Sequence, residues 1–167
     1  MPPKLTLRAF TATDLPMMAG WLQTPDLRQW WGDPVEQLVL VSEDLTNPLM
    51  EQQIACLDGV PFGYVQSYPC AAWGAPQFAD MPDDARAVDT CIGVSGLLNK
   101  GHGAAMLRLY AQTLMTAGTS AVVIDPKASN ERAVRAYRRA GFQDIATRAC
   151  EDGDLVLVMR FDPNSLC

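Results

Sequence analysis

The sequence predicts a mixed α/β domain built round one sheet. Three observations carry this expectation. Strand-type and helix-type runs follow in the order strand, helices, antiparallel strands, then strand–helix–strand–helix–strand. Asp58-Gly59 stands between two strand-type runs, the mark of a tight hairpin. With 49% apolar and 19% charged residues the chain can bury a full core, and no repeat, low-complexity tract or linker divides it. A single domain over residues 1–167 is therefore expected.

Each element has a local reason. "LTLRAF" (5–10) alternates apolar and polar residues and reads as a strand. In "TATDLPMMAGWLQ", Thr13 or Asp14 can cap a helix whose first turn holds Pro16. "TPDLRQWWGDP" (24–34) reads as a loop or a short helix ended by Gly32 and Pro34. Residues 35–50 carry a weaker helical signal. The hairpin lies in "QQIACLDGVPFGYVQSY". Residues 69–86, "PCAAWGAPQFADMPDDAR", hold Pro69, Pro76 and Pro82 and should form a long loop, a feature that in compact domains is often functional. "AVDTCIGV" (87–94) is a strand. Residues 102–117 form a helix with Ala104, Leu107, Ala111 and Leu114 on one face and Gly118 as its stop. "SAVVID" is a buried strand. "SNERAVRAYRRAG" is a helix capped by Ser129 or Asn130 and ended by Gly141. "DLVLVMRF" is the closing strand.

Composition removes several function classes. A net charge of −6 disfavours nucleic acid as a partner, since phosphate neutralisation needs cations. It suits a cationic small molecule, although solubility alone would also account for it. Five cysteines (56, 70, 91, 150, 167) form no CxxC pair and read as reduced thiols, and with one histidine no metal site is expected. "MPPKLTLRAF" lacks the apolar core of a signal peptide. No apolar run approaches the roughly 20 residues that span a bilayer. A cytoplasmic protein without a membrane partner is expected.

The stretch "LLNKGHGAAMLRLYAQTLMTAG" (97–118) carries the first chemical signal. A helix N-terminus has unpaired N–H groups and a partial positive charge. Glycines ahead of it let a ligand approach the backbone, so the two together suit a phosphate or pyrophosphate. Lys100 and His102 add donors. The stretch is neither a Walker A loop nor the dinucleotide fingerprint, because the Lys precedes the glycine and no further G-x-x-G follows Gly103.

About 25 residues beyond this turn comes "DPKASNERAVRAYRRAGF". "NKGHGAAML" resembles the Q/R-x-x-G-x-G/A acetyl-CoA motif of the GCN5-related N-acetyltransferases (GNAT), with Asn99 in place of the usual Gln or basic residue. "SNERAVRAYRRAGF" resembles that family's second signature. The resemblance runs through residues 4–161. "QWWGDP", "PFGYVQSY", "AVDTCI" and "VIDPKASNERAVRAYRRAGF" are most similar to the aminoglycoside 6'-N-acetyltransferase branch, which also includes acetylases of hydroxylysine-derived siderophore precursors.

The resemblance implies an acyl-CoA N-acyltransferase fold and acetyl-CoA as cosubstrate. It implies a pyrophosphate site over Asn99, Lys100, Gly101, His102, Gly103 and Ala104, with Asn130 and Tyr137 also at the cofactor. Backbone N–H groups around Ile92, Gly93 and Val94 would face the thioester oxygen, an oxyanion-type stabilisation. Tyr137 would be the acid for the departing thiolate; otherwise it is an apolar helix position on the sheet. Asp89 lies among apolar neighbours, where a carboxylate must find a partner. That partner is either a substrate ammonium, which makes Asp89 clamp and base, or the backbone or Arg86. Asp125, at the end of "VVI", is an acceptor-pocket carboxylate or an Asp-Pro turn residue. Asp80, Asp83 and Asp84 either meet a polycation or are solvated loop. Trp30 and Trp31 are adjacent and cannot both face a core, so one of them, with Tyr68 and Trp73, is expected to form an aromatic wall for cations and sugar rings.

The expected function is acetyl-CoA-dependent acetylation of a primary amine on a cationic small molecule, first the 6'-amine of an aminoglycoside, with antibiotic resistance as the associated role. A siderophore-precursor acetylase and a non-catalytic acyl-CoA-binding module are the alternatives. The protein should be a monomer or homodimer.

Overall fold

The computed structural model describes residues 1–165. Among them Cys56, Cys70, Cys91 and Cys150 are free thiols, and Cys167 lies outside the described residues. The elements are β1 (Leu5–Ala9), α1 (Leu15–Leu22), α2 (Pro25–Trp30), α3 (Pro34–Asp44), β2 (Glu51–Leu57), β3 (Val60–Pro69), β4 (Arg86–Ile92), α4 (His102–Thr116), β5 (Val122–Ile124), α5 (Glu131–Ala140), β6 (Phe142–Ala149) and β7 (Leu155–Phe161). The seven strands are hydrogen-bonded in the order β1-β2-β3-β4-β5-β7-β6. Pairing is parallel for β4 with β5 and antiparallel for β1 with β2, β5 with β7 and β6 with β7, so the sheet is mixed. No helix among the described residues is long and apolar enough to cross a membrane.

Contacts within the chain gather into two compact units. The first comprises Met1–Gln66 and Thr90–Gly103. Its core is formed by Phe10, Met18, Trp21, Leu27, Ile54 and Tyr64 with their neighbours. Asp58 (φ 49°) and Gly59 (φ 81°) both take positive φ, so the expected hairpin turn is of the type whose twist matches its strands. Asp14 stands at the N-cap of α1, but its side chain does not cap it. The carboxylate accepts from Arg8 Nη1 and Nη2, each at 2.9 Å, and from the Thr11 N–H at 2.9 Å. The run 24–34 resolves into a short helix, α2, ended by Gly32 at φ 100°. Pro34 opens the next helix rather than closing this one, because its missing N–H is no loss in a first turn. Asp33 caps α3 by accepting the Val35 N–H at 3.2 Å.

The second unit comprises Ser67–Asp89 and the chain from Ala104 onward. Helix α4 buries Ala104, Leu107, Ala111 and Leu114, the face expected from the sequence, together with Met106 and Tyr110. Asn130 rather than Ser129 caps α5, accepting the Ala133 N–H at 3.2 Å, and Gly141 (φ 106°) ends it in the left-handed conformation. The segment 69–85 contains one 3-10 turn, Pro76–Phe78, and Phe78 packs into a core with Cys70, Ala87, Val123, Val156 and Val158.

Strand β6 is absent from the sequence reading. It is an edge strand, with only Phe142 buried among its eight residues. A strand exposed on both faces shows no apolar alternation to detect. Its pairing partner β7, with Val156, Val158 and Met159 buried, supplies the signal instead.

Candidate active site

In the first unit the chain leaves β4 at Ile92 and reaches α4 through a 3-10 turn at Ser95–Leu97. Asn99 (φ 62°) and Gly101 (φ 85°) then take positive φ on either side of Lys100. Asparagine is among the few non-glycine residues that tolerate this conformation. Gly103 does not use positive φ. It lies inside the first turn of α4, where an added Cβ would come within 3.3 Å of Ile92 Cδ1. No acidic side chain stands in that turn, so the positive end of a 15-residue helix is unneutralised. The ring of His102 packs edge-on against Phe62 at 5.8 Å between centroids.

Gly93 departs from expectation. Its N–H donates to the Phe62 carbonyl at 2.8 Å, so it is engaged within the protein and not turned to a thioester. A Cβ at this position would overlap the Trp21 ring. Gly93 is therefore required by the packing of Trp21.

In the second unit the β4–β5 pairing sets Arg86 opposite Val122 and Ala87 opposite Val123. Asp89 lies two residues beyond Ala87, and Asp125 two beyond Val123. The parallel register thus brings the two carboxylates to the same level, where the short ladder ends. Asp125 accepts from Gln77 Nε2 at 3.0 Å. Burial pushes the Asp125 carboxyl up to about 7, the charge of Asp89 adds to this, the Gln77 N–H opposes it, and Glu151 contributes further. The Tyr68 phenol is raised as well, by the charge of Asp89 first, then by burial and by Asp125. The Cys70 thiol is pushed up to about 12, mainly by burial. Three acidic side chains, Asp89, Asp125 and Glu151, thus act on one partly buried region. Trp73, which is 56% exposed, lies against Tyr68 in a T-shaped contact at 5.2 Å. Such a region favours any ligand that brings positive charge.

Other expected site residues have different neighbours. Asp80 is paired with Arg148 through contacts of 2.7 and 3.0 Å, so its carboxylate is held by a cation of the protein rather than presented to a substrate. Asp84 accepts from the hydroxyl and backbone N–H of Ser120 and fastens the loop end. Asp83 is exposed. Asn130 holds its own helix. Trp31 packs edge-on against Tyr64 at 6.1 Å and belongs to the first core, while Trp30 is half-buried. Tyr137 is half-buried on α5. Arg86 donates to the Ser67 hydroxyl at 3.1 Å and the Ser67 carbonyl at 2.9 Å. Gln77 and Glu151 are not expected from the sequence. The acidic turn "CEDGD" (150–154) is a usable signal for Glu151; Gln77 has none.

The acetyltransferase (GNAT) domain model matches residues 11–149, most of the chain. The chain belongs to the GNAT acetyltransferase family. An aminoglycoside N(6')-acetyltransferase type 1 of Klebsiella pneumoniae is 31% identical over 165 residues, covering 93% of this chain and 82% of that protein. A protein of the same name from Serratia marcescens matches equally. Among solved structures, AAC(6')-Ib in complex with paromomycin and acetyl-CoA superimposes with a TM-score of 0.83 at 28% identity, over 95% of this chain and 93% of that one. An uncharacterized protein (bh2621) from Bacillus halodurans superimposes with a TM-score of 0.84 at 20% identity, over 97% of this chain and 86% of that one, a likeness of fold. As a GNAT acetyltransferase the protein uses acetyl-CoA as its cosubstrate, and the residues of the turn at 99–103 fit that group. The positive-φ pair Asn99 and Gly101 with Lys100 between them, and the N-terminus of α4 without an acidic residue in its first turn, are groups suited to an anionic ligand.

Proposed function

We infer that this GNAT acetyltransferase transfers the acetyl group of acetyl-CoA to the 6'-amine of an aminoglycoside. The observation that carries the choice of acceptor is the set of acidic side chains Asp89, Asp125 and Glu151 acting on Tyr68 and its surroundings, where burial first and then the charge of Asp89 raise Asp125 to about 7. The aminoglycoside N(6')-acetyltransferase names of its 31% identical relatives support the same acceptor.

Acetyl-CoA supplies an activated acyl thioester. The first-turn N–H groups of α4, with those of Asn99 to Gly101, bind its phosphates. Asp89 holds the acceptor ammonium and receives the proton that the nitrogen must lose before it can attack. The C–N bond forms as the C–S bond breaks, and Tyr137 Oη carries the proton that the sulfur takes up. With Gly93 engaged, Val94 and Ile92 remain the proposed N–H donors to the thioester oxygen. The enzyme acts as a single domain in the cytoplasm, monomeric or as a homodimer, a setting in keeping with its free thiols.

The test is thiol release from acetyl-CoA over a panel of amines. A 6'-amino aminoglycoside should be the best acceptor, and its 6'-hydroxyl counterpart should bind without turnover. Equal turnover of the two would remove the regiochemistry. Turnover of a hydroxylysine-type amine with no aminoglycoside acetylated would replace the acceptor.

A further inference from the structure

Gln77 sits in the long loop between β3 and β4, and its side chain is 2% exposed. Two contacts hold the peptide that carries it. Its carbonyl accepts from Arg148 Nη1 at 2.9 Å, and Phe78 beside it is buried in the core. Its amide nitrogen donates to Asp125 Oδ2 at 3.0 Å. The amide oxygen, Oε1, accepts from no protein donor, and among the described residues it is the buried side-chain nitrogen or oxygen left in that state. Native interiors seldom leave such a group unmatched, because its desolvation is then uncompensated. Turning the amide over gives no relief, since Oε1 could then accept only from a protonated Asp125 and Nε2 would take the unmatched position in its place.

The geometry restricts what Oε1 can receive. Amide bond lengths put Oε1 about 2.3 Å from Nε2. With Nε2 3.0 Å from Asp125 Oδ2, the two oxygens are at most about 5.3 Å apart. One ammonium nitrogen, its N–H bonds set at the tetrahedral angle, bridges acceptors about 4.6 Å apart with charge-assisted bonds of about 2.8 Å, within the range that the Oε1–Nε2–Oδ2 angle allows. A hydroxyl has one proton and serves one of them. An ammonium has three, and its charge is favoured beside the Asp125 carboxyl.

We propose that Gln77 Oε1 and the Asp125 carboxylate jointly receive one ammonium group of the acceptor, other than the reacting amine, which makes Gln77 a specificity-determining residue. The assignment rests on the acetyltransferase reading above and deepens it.

Gln77→Leu and the near-isosteric Gln77→Met are compared with wild type on an aminoglycoside and on its derivatives lacking one non-reacting amine each. Against the parent compound, either variant should raise the acceptor KM about tenfold or more, the scale of a hydrogen bond to a charged group. The acetyl-CoA KM should stay within about twofold, because the cofactor turn is untouched. For one of the derivatives the penalty should vanish, since the group that Oε1 would have met is gone; this is the non-additivity of a direct contact. The same factor on every derivative, or a loss shared by the acetyl-CoA KM and the melting temperature, would overturn the assignment and leave Gln77 as a prop for Asp125. If Gln77→Leu does not fold, Gln77→Met carries the comparison. The same compounds are also read by calorimetric binding. If wild type turns over no aminoglycoside, the reaction assignment fails there, while the derivative pattern in binding still decides the role of Gln77.

Discussion

Asp125 should make the protein less stable as pH rises, and Asp125→Asn should remove that loss. Its carboxyl titrates at about 7 in the folded chain, against about 3.9 for a free aspartate. The folded state therefore holds a proton that the unfolded chain has already released between about pH 4 and 7, so stability falls as pH rises through that window. A window about three pH units wide corresponds to about 4 kcal/mol once both states are ionised, at about 1.36 kcal/mol for each. Asparagine has the same shape, keeps an oxygen for Gln77 Nε2, and carries no charge at any pH. At about pH 8 the variant should exceed wild type by up to about 4 kcal/mol, or about 10 °C in Tm for a chain of this size. At about pH 3 the two should be nearly equal, both states of wild type then holding the proton. Urea unfolding at half-unit pH steps measures the difference, and taking variant minus wild type cancels the other carboxylates. A difference that is flat with pH, or one that favours wild type on the alkaline side, would refute the argument that burial and Asp89 hold this carboxyl protonated. The same variant should bind a polycationic acceptor more weakly, so stability gained is function lost.

Other outcomes follow from the same geometry. Gly93→Ala should be strongly destabilising, by more than about 2 kcal/mol in chemical denaturation, because the new methyl overlaps the Trp21 ring. Gly103→Val should raise the acetyl-CoA KM several-fold while the melting curve moves little, since at 3.3 Å the flexible Ile92 side chain can yield but the approach to the helix terminus narrows. Asp89→Asn should lower kcat by about 100-fold or more, the scale of general-base catalysis, with the acetyl-CoA Kd preserved; Tyr137→Phe should lower kcat with a smaller change in stability. For an aminoglycoside, kcat/KM should fall as salt rises from about 50 to about 500 mM, and fall less for a monoamine, which initial-rate assays across that range would show.

Much of the frame is legible locally. Asp58-Gly59 demands positive φ at both turn positions, and α4 announces its buried face through Ala104, Leu107, Ala111 and Leu114. Gly141 ends α5, and the glycine turn before His102 points to an anion-binding helix terminus. Each of these is decided by residues within a few positions of one another, where backbone sterics and helical periodicity act. Partners distant along the chain are not legible. In the sequence Asp80 is either a carboxylate for a polycation or solvated loop, and neither reading names Arg148, 68 residues away, which pairs with it. Gly93 reads as an oxyanion donor, yet Trp21 and Phe62 account for both its missing side chain and its N–H. β6 has too little buried surface to write a pattern into its residues. Asp89 and Asp125 stand level because the β4–β5 register sets them so, and Gln77 meets Asp125 across 48 residues because the loop is clamped where it is. Periodicity in a sequence reports which side of an element is buried. Which charge stands against which is decided by strand register and loop path, and these exist only once the chain has closed on itself.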